Sequence, residues 1–231
     1  MPSRTKILHF ISSALVTSVS VGILGFAIST QWAKVEMQCA MEGSISLNGS
    51  AEIILGIFNG TLIRSSCPSF GNNDVFQVIP TLAEIGTTPL VLHILVVCLL
   101  VLCLVFSAGS ILISLYNSLS NPYETYMGPV GVYTCSSISA CVSLLVLILF
   151  VVNVSVTNIV NNLITVIVPG IPIELGEKSV QMMIGYYLVI PYMVLTVLAI
   201  VLIYMYQHAA YTHRREQERP TEDAPKEIMM Y

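Results

Sequence analysis

The chain has 231 residues, 55% of them hydrophobic and 10% charged, with a net charge of −4 and a mean hydropathy of +0.82. That balance excludes a soluble globular domain, whose surface must be clothed in polar groups. The acidic net charge also gives nothing that would attract nucleic acid.

The apolar residues come in runs of membrane-spanning length. About 20 residues of helix cross the roughly 30 Å of bilayer hydrocarbon, and a chain in lipid must satisfy its backbone polar groups internally. Residues 1–6, with Arg4 and Lys6, read as a cytosolic N-terminus before a first span over 7–29. A signal peptide ending near Ala27-Ile28-Ser29 competes with that reading. The run is longer than the about 7–15 apolar residues of a signal peptide, so a retained helix is preferred. Three further runs free of Asp, Glu, Lys and Arg predict spans over 90–116, 130–152 and 182–206. The fold class is therefore an all-α membrane protein, a four-transmembrane-helix bundle with a small extracellular antiparallel β-sheet in the loop of residues 30–89.

Basic residues set the orientation. Arg4, Lys6, Arg214, Arg215, Arg219 and Lys226 lie on the side of the termini, and Lys34, Arg64 and Lys178 on the other, which places both termini in the cytosol. Two N-glycosylation acceptors, Asn48-Gly49-Ser50 and Asn59-Gly60-Thr61, fall in the first outside loop, in agreement. Asn48, in a polar turn, is the expected main glycan site. Asn59-Gly60 reads as a type I′ hairpin turn between strands Glu52–Phe58 and Thr61–Ser66, a conformation that presents Asn59 poorly. A third acceptor at Asn153 abuts the third span. Further strands are expected at Val35–Cys39 and Val75–Ile79, and Trp32 is expected at interfacial depth. Cys39 and Cys67 share this oxidising loop and are expected to form a disulfide. Cys98, Cys103, Cys135 and Cys141 lie within spans and read as small packing residues, with palmitoylation of Cys135 the competing reading.

Residues 117–129 form a cytosolic turn, so the second and third spans are antiparallel neighbours. The outside loop 153–181 breaks at Pro169-Gly170-Ile171-Pro172, Pro191 interrupts the fourth span, and 207–231 is a cytosolic tail. Small residues every fourth position let helices approach closely in lipid. Ala14, Ser18 and Gly22 on the first span and Cys135, Ser139 and Ser143 on the third are expected helix contacts within the bundle, with Ser110 and Ser114 on the second; a homotypic or partner interface is the competing reading. His9 and His93 are the ionisable residues nearest the spans' interior, each toward an end. No carboxylate pair, metal cluster, nucleophile or phosphate loop is apparent, so neither catalysis nor a cofactor is expected. In the tail, Pro220 ends any helical extension. Met229-Met230-Tyr231 supplies a carboxylate with apolar residues at the last and third-last positions, a form that a PDZ-domain scaffold accepts.

Several stretches together resemble the clarin family, tetraspan glycoproteins of the claudin-like superfamily. These are the opening "MPSRTK", "MQCAMEGSISLNGS" (37–50), "LGIFNGTLIRSSC" (55–67), the inner turn "NPYETYMGPVGVY" (121–133) and the final "MY". The inner turn and tail are most similar to the third paralogue of that family. Cys39 precedes Gly56, unlike the cysteines of claudins, so claudin-style strand polymerisation does not carry over. The resemblance implies a left-handed bundle and a non-enzymatic membrane organiser or accessory subunit. Such a protein binds other membrane proteins laterally and through its tail, and clarins are linked to actin-based and synaptic membranes of sensory cells. A channel or transporter is the alternative class.

Overall fold

The computed structural model describes residues 4–41, 49–65, 74–119, 128–157 and 173–217. Four helices are long and apolar enough to cross a membrane: α1 (Arg4–Ser29), α3 (Thr87–Leu119), α4 (Pro129–Val156) and the segment Ile184–Ala209. The last segment is a short α5 (Ile184–Tyr187) followed across Leu188 by α6 (Val189–Gln217). Pro191 lies in the first turn of α6 rather than in its middle, where its missing N–H costs no helix bond. The helices form a ring in which α1 packs on α3 and α6, and α4 packs on α3 and α6.

Each helix buries one seam spaced alternately by three and four residues. On α1 it is Phe10, Ser13, Thr17, Ser20, Leu24 and Ala27. The α3 seam runs from Pro89, His93, Val96, Leu100 and Cys103 to Ser107, Ser110, Ser114 and Asn117. On α4 it is Val132, Ser136, Ser139, Ser143, Val146, Phe150 and Asn153, and on α6 Val189, Tyr192, Thr196, Ala199 and Ile203. A repeat of 3.5 residues on every helix is the pattern of left-handed packing with small crossing angles. The outward faces carry Leu, Val, Ile and Phe, as a lipid-facing surface does.

At one end the chain folds into a five-stranded sheet of order β4-β3-β2-β1-β5, from β1 (Gln31–Met41), β2 (Gly49–Gly56), β3 (Asn59–Ser65), β4 (Asp74–Gln77) and β5 (Ile173–Met182). All neighbours are antiparallel. A short helix α2 (Val78–Ile85) leads from β4 to α3. One sheet face, with Val35, Met37, Ile53, Leu55 and Leu62, is buried and continuous with the core of the bundle. Lys34 lies on the other face, bonded to Glu36 at 2.8 Å and Glu52 at 3.1 Å. Glu36 and Glu52 stand directly opposite each other across β1 and β2. Lys34 thus relieves a like-charge pair, and the hydrogen bonds to Glu36 and Glu52 hold its ammonium above the usual lysine range.

Three details differ from the sequence expectations. The β2–β3 turn is at Ile57-Phe58, with Leu55 opposite Gly60, so Asn59-Gly60 opens β3 and takes no type I′ conformation. Gly60 is required for a different reason: a Cβ there would lie 2.3 Å from the ring of Phe76, which crosses it from β4. Trp32, directly after α1, is 0% exposed, so its ring packs inside the protein and not outward toward headgroups. A bulge between Gln31 and Ala33 turns Trp32 and Ala33 both inward, and the indole donates to the Ala27 carbonyl at 2.7 Å. Residues 173–181, expected within the outside loop 153–181, belong with Met182 to the strand β5.

Candidate functional site

The seams bring hydroxyl groups rather than aliphatic side chains to the middle of the bundle. Ser, Ala, Gly and Thr allow close helix approach in lipid, and their hydroxyls need partners once water is absent. Tyr192 of α6 is the hub. Its hydroxyl is 2.8 Å from Ser107 Oγ of α3, bonds closely to Ser139 Oγ of α4, and donates to the Cys103 carbonyl at 3.2 Å. Ser139 Oγ also lies 3.3 Å from the Cys103 carbonyl and 3.4 Å from Ser107 Oγ, so Tyr192 and Ser139 share their two hydrogens between each other and that carbonyl. The Cys103 thiol returns a contact to the Ser139 carbonyl at 3.7 Å. About one turn along α3, Ser110 and Ser136 face each other at 3.0 Å. On the opposite wall Ser13 of α1 donates to the Ala199 carbonyl of α6 at 3.5 Å, while Thr17 and Ser20 bond back to their own helix. The layer thus joins α3, α4 and α6 through side chains that satisfy one another.

A second polar joint lies under the sheet. His93 Nε2 is 2.8 Å from the Ile57 carbonyl in the β2–β3 turn, and Asn153 Nδ2 donates to the Pro89 carbonyl at 3.4 Å. Asn153 is buried within α4, which continues to Val156 instead of ending at residue 152. An acceptor sequon whose asparagine points into a helix interface is closed to glycosylation. A third joint is aromatic. The Trp32 ring stands edge-on to Phe150 at 4.9 Å and to Tyr186 at 6.4 Å. Gly185 of α5 lies so close that a Cβ would fall 2.6 Å from Trp32 Cδ1 and 2.7 Å from the Gln31 carbonyl.

The residues singled out from sequence are distributed unevenly over these joints. Ser139 and Ser143 of α4 are both fully buried, Ser139 inside the hydroxyl layer. Ala14 is buried too, but Ser18 and Gly22 point outward, and a Cβ on Gly22 or Gly25 would meet nothing within 4 Å. Beyond Ala14 the strip on α1 is therefore not a contact within the bundle: a spacing of four drifts off a seam whose period is 3.5, and Ser13, Thr17 and Ser20 occupy the contact instead. Gly22→Leu is accordingly expected to leave detergent-solubilised yield and thermal midpoint unchanged or slightly raised, since Gly lowers helix stability by roughly 1 kcal/mol. A fall in midpoint of several degrees would show that Gly22 is packed.

Cys39 lies in β1 opposite Gly49 and Leu175, and Asn59 is exposed at the start of β3. Cys67, Asn48, Arg219 and the final Met229, Met230 and Tyr231 lie outside the described residues, as does the inner turn 120–127. Cys98 and Cys141 face outward, while Cys103 is buried and Cys135 half-buried. Among the described residues, no group of three His, Cys, Asp or Glu side chains is placed to hold a metal. Tyr192, Ser107, Ser136 and Thr17 are not among the residues expected from sequence. The signal for them is the 3.5-residue repeat of small polar residues, which an aliphatic pattern does not display.

Four apolar helices in a ring, capped at one end by a small antiparallel sheet, define a tetraspan membrane protein. A family model described as Clarin-2-like matches residues 5–168. "Clarin-3" of Mus musculus is 32% identical over the whole of both chains, and "Clarin-3" of Homo sapiens 30% over the same extent. "Clarin-1" of Mus musculus is 27% identical over 68% of this chain and 69% of its own. The chain belongs to the clarin family.

Proposed function

We propose that the chain is a non-enzymatic organiser or accessory subunit of the plasma membrane, with its sheet outside the cell and both termini in the cytosol. It holds other membrane proteins laterally and through its tail. The observation that carries this reading is the closed hydroxyl layer. Tyr192, Ser107, Ser139 and the Cys103 carbonyl bond to one another, so these groups at the centre of the bundle are committed to joining helices. A transport path would instead line its route with charged rings or coordinating backbone. The distribution of basic residues supports the orientation. As the resemblance to clarins implies, the setting would be actin-based or synaptic membrane of sensory cells.

The tail's final Met229-Met230-Tyr231 would add a strand to a PDZ sheet edge and place its carboxylate in a backbone nest. Appending one glycine after Tyr231 shifts that carboxylate out of register. Pull-down with the native tail is expected to recover PDZ proteins that the extended tail loses. Recovery of the same proteins with both tails, or of none, would remove this part of the proposal. Proximity labelling from the tail in native sensory tissue tests the broader reading, which fails if neighbours are no different from those of an unrelated tetraspan.

The sheet's geometry also supports a disulfide and a glycan at its far end. β1 begins at Gln31 beside α1 and runs outward, so Cys39 lies near the end of the sheet remote from the bundle. β3 runs the same way and ends at Ser65, opposite Ser50, two residues before Cys67. β2 begins at that remote end with Gly49, the residue after Asn48 in sequence, whereas Asn59 opens β3 at the opposite end. A Cys39–Cys67 bridge would stabilise the loop by about 2–4 kcal/mol. Mass mapping of unreduced, enzymatically deglycosylated peptides in ¹⁸O water is expected to find Cys39 joined to Cys67 and label at Asn48. Two free thiols would remove the bridge, and label at Asn59 alone would reverse the ranking of the acceptors.

A further inference from the structure

The chain has four histidines: His9 near the start of α1, His208 and His213 near the end of α6, and His93 near the sheet end of α3. His93 is 1% exposed. Its Nε2 lies 2.8 Å from the Ile57 carbonyl. A carbonyl oxygen can only accept, so Nε2 carries the hydrogen and Nδ1 of the neutral ring is left with a lone pair. That Nδ1 has no hydrogen-bond partner among the described residues. Ile57 is itself buried in the turn that reverses the chain between β2 and β3. The adjoining Phe58 carbonyl accepts from the Val78 N–H at 2.9 Å, where α2 begins. The hairpin, α2 and α3 are thus tied together at this ring.

We propose that His93 is a pH-sensitive latch, fastening the β2–β3 hairpin to the bundle while its ring is neutral and releasing it when the ring is protonated. Protonation adds a second N–H, at Nδ1, and a positive charge. Among the described residues the ring has neither an acceptor bonded at Nδ1 nor an ion-pair partner. The turn contributes Ile57 and Phe58, the end of α1 contributes Leu24–Ser29 and the end of α4 Phe150–Val156, with no ionisable group in any of them. On α2, Glu84 is exposed, and α5 presents Tyr186 and Tyr187. Lys34, Glu36 and Glu52 are joined to each other on the sheet face opposite Val35 and Ile53, and Asp74 is at the end of β4 away from Gln77. Asn153, the other buried polar side chain at this end, donates to the Pro89 carbonyl and makes no bond to Nδ1 of the ring. A protonated ring finds hydration only by turning out of its pocket, and that movement breaks the bond to Ile57. The same residue that holds the sheet at neutral pH therefore loosens it in an acidic compartment, over a range where no other sheet-end histidine titrates.

The test is hydrogen exchange of the full chain in lipid nanodiscs at about pH 7.5 and about pH 5, read as protection factors so that the intrinsic pH dependence is removed. In the unmodified protein, protection of the hairpin residues 53–62 is expected to fall about tenfold on acidification, the scale of one lost buried hydrogen bond. His93→Gln keeps an N–H donor for Ile57 and does not titrate, so its hairpin protection is expected to be the same at both pH values. Unchanged protection in the unmodified protein, or an equal fall in His93→Gln, would overturn the proposal. Should that variant fail to fold, ¹⁵N shifts of the histidine ring in the unmodified protein decide. A neutral Nε2-protonated ring that becomes doubly protonated where protection falls is expected. A neutral Nδ1-protonated tautomer, or titration at a different pH, would overturn it equally.

Discussion

Gly185→Ala is expected to be among the most destabilising single-methyl additions in the chain, at about 3 kcal/mol. The added Cβ would sit 2.6 Å from Trp32 Cδ1, 2.7 Å from the Gln31 carbonyl and 2.8 Å from Thr30 Oγ1. The carbonyl is backbone and cannot rotate away. The indole is held too, because its N–H is fixed on the Ala27 carbonyl and its ring packs at steep angles against Phe150 and Tyr186. Overpacking a rigid site typically costs about 1–3 kcal/mol, and a site confined on three sides belongs at the top of that range. The strain would fall where α1, β1, α4 and α5 meet, so the sheet should lose its fixed position on the bundle. Trp32 is the one tryptophan of the chain, and its emission reports on this joint directly. Gly185→Ala should shift that emission to the red and lower the thermal midpoint, while Gly25→Ala, whose Cβ meets open space, should leave the emission unchanged and the midpoint unchanged or slightly raised. Unchanged emission in Gly185→Ala would mean that the joint yields easily.

Substitutions of Tyr192 should separate packing from hydrogen bonding. Tyr192→Ala empties a fully buried site at the centre of the bundle, and deleting a buried aromatic side chain costs about 3–5 kcal/mol. In lipid that loss is mainly of dispersion contacts, since the hydrocarbon is as apolar as the side chains removed. Tyr192→Phe keeps the ring and removes the hydroxyl. Ser107 and Ser139 still have each other at 3.4 Å, and Ser139 keeps the Cys103 carbonyl at 3.3 Å. The remaining cost should be about 1 kcal/mol, within the range of single hydrogen bonds inside membrane proteins. Unfolding in detergent, followed by helical signal, is expected to rank the unmodified protein above Phe and Phe well above Ala. If Phe were as damaging as Ala, the hydroxyl network would outweigh the packing. If Ala were harmless, the seam would not be tightly packed there.

The spans are legible in the sequence because ionisable residues are so costly in lipid that a long apolar run without them marks a helix crossing the bilayer. Their boundaries are less so. Asn153 reads as the end of a helix, yet it is buried against the start of α3, because a side-chain bond to the Pro89 carbonyl lets a polar residue occupy the seam. The hairpin is legible from its two apolar runs, but its turn is not. Asn59-Gly60 is a strong turn signal, and here the glycine is needed to let Phe76 cross the strand. β5 is hidden because Ile173–Met182 mixes polar and apolar residues without the strict alternation of a half-buried strand. The hydroxyl layer is half legible. Ser139 and Ser143 stand out because a step of four also occurs inside a seven-residue repeat, whereas extending steps of four along α1 leads from Ala14 to the outward-facing Ser18 and Gly22.

The role of the hydroxyl layer as a join between helices, and not as part of a conducting path, is tested most directly by ion flux. Purified protein reconstituted into sealed liposomes, oriented and counted, can be loaded with K⁺, Na⁺, Cl⁻ and proton reporters in turn. A scaffold whose interior polar groups bond one another predicts leak rates equal to those of liposomes carrying the Tyr192→Phe variant and of protein-free liposomes. Flux that rises in proportion to the amount of protein, and that Tyr192→Phe alters, would contradict it.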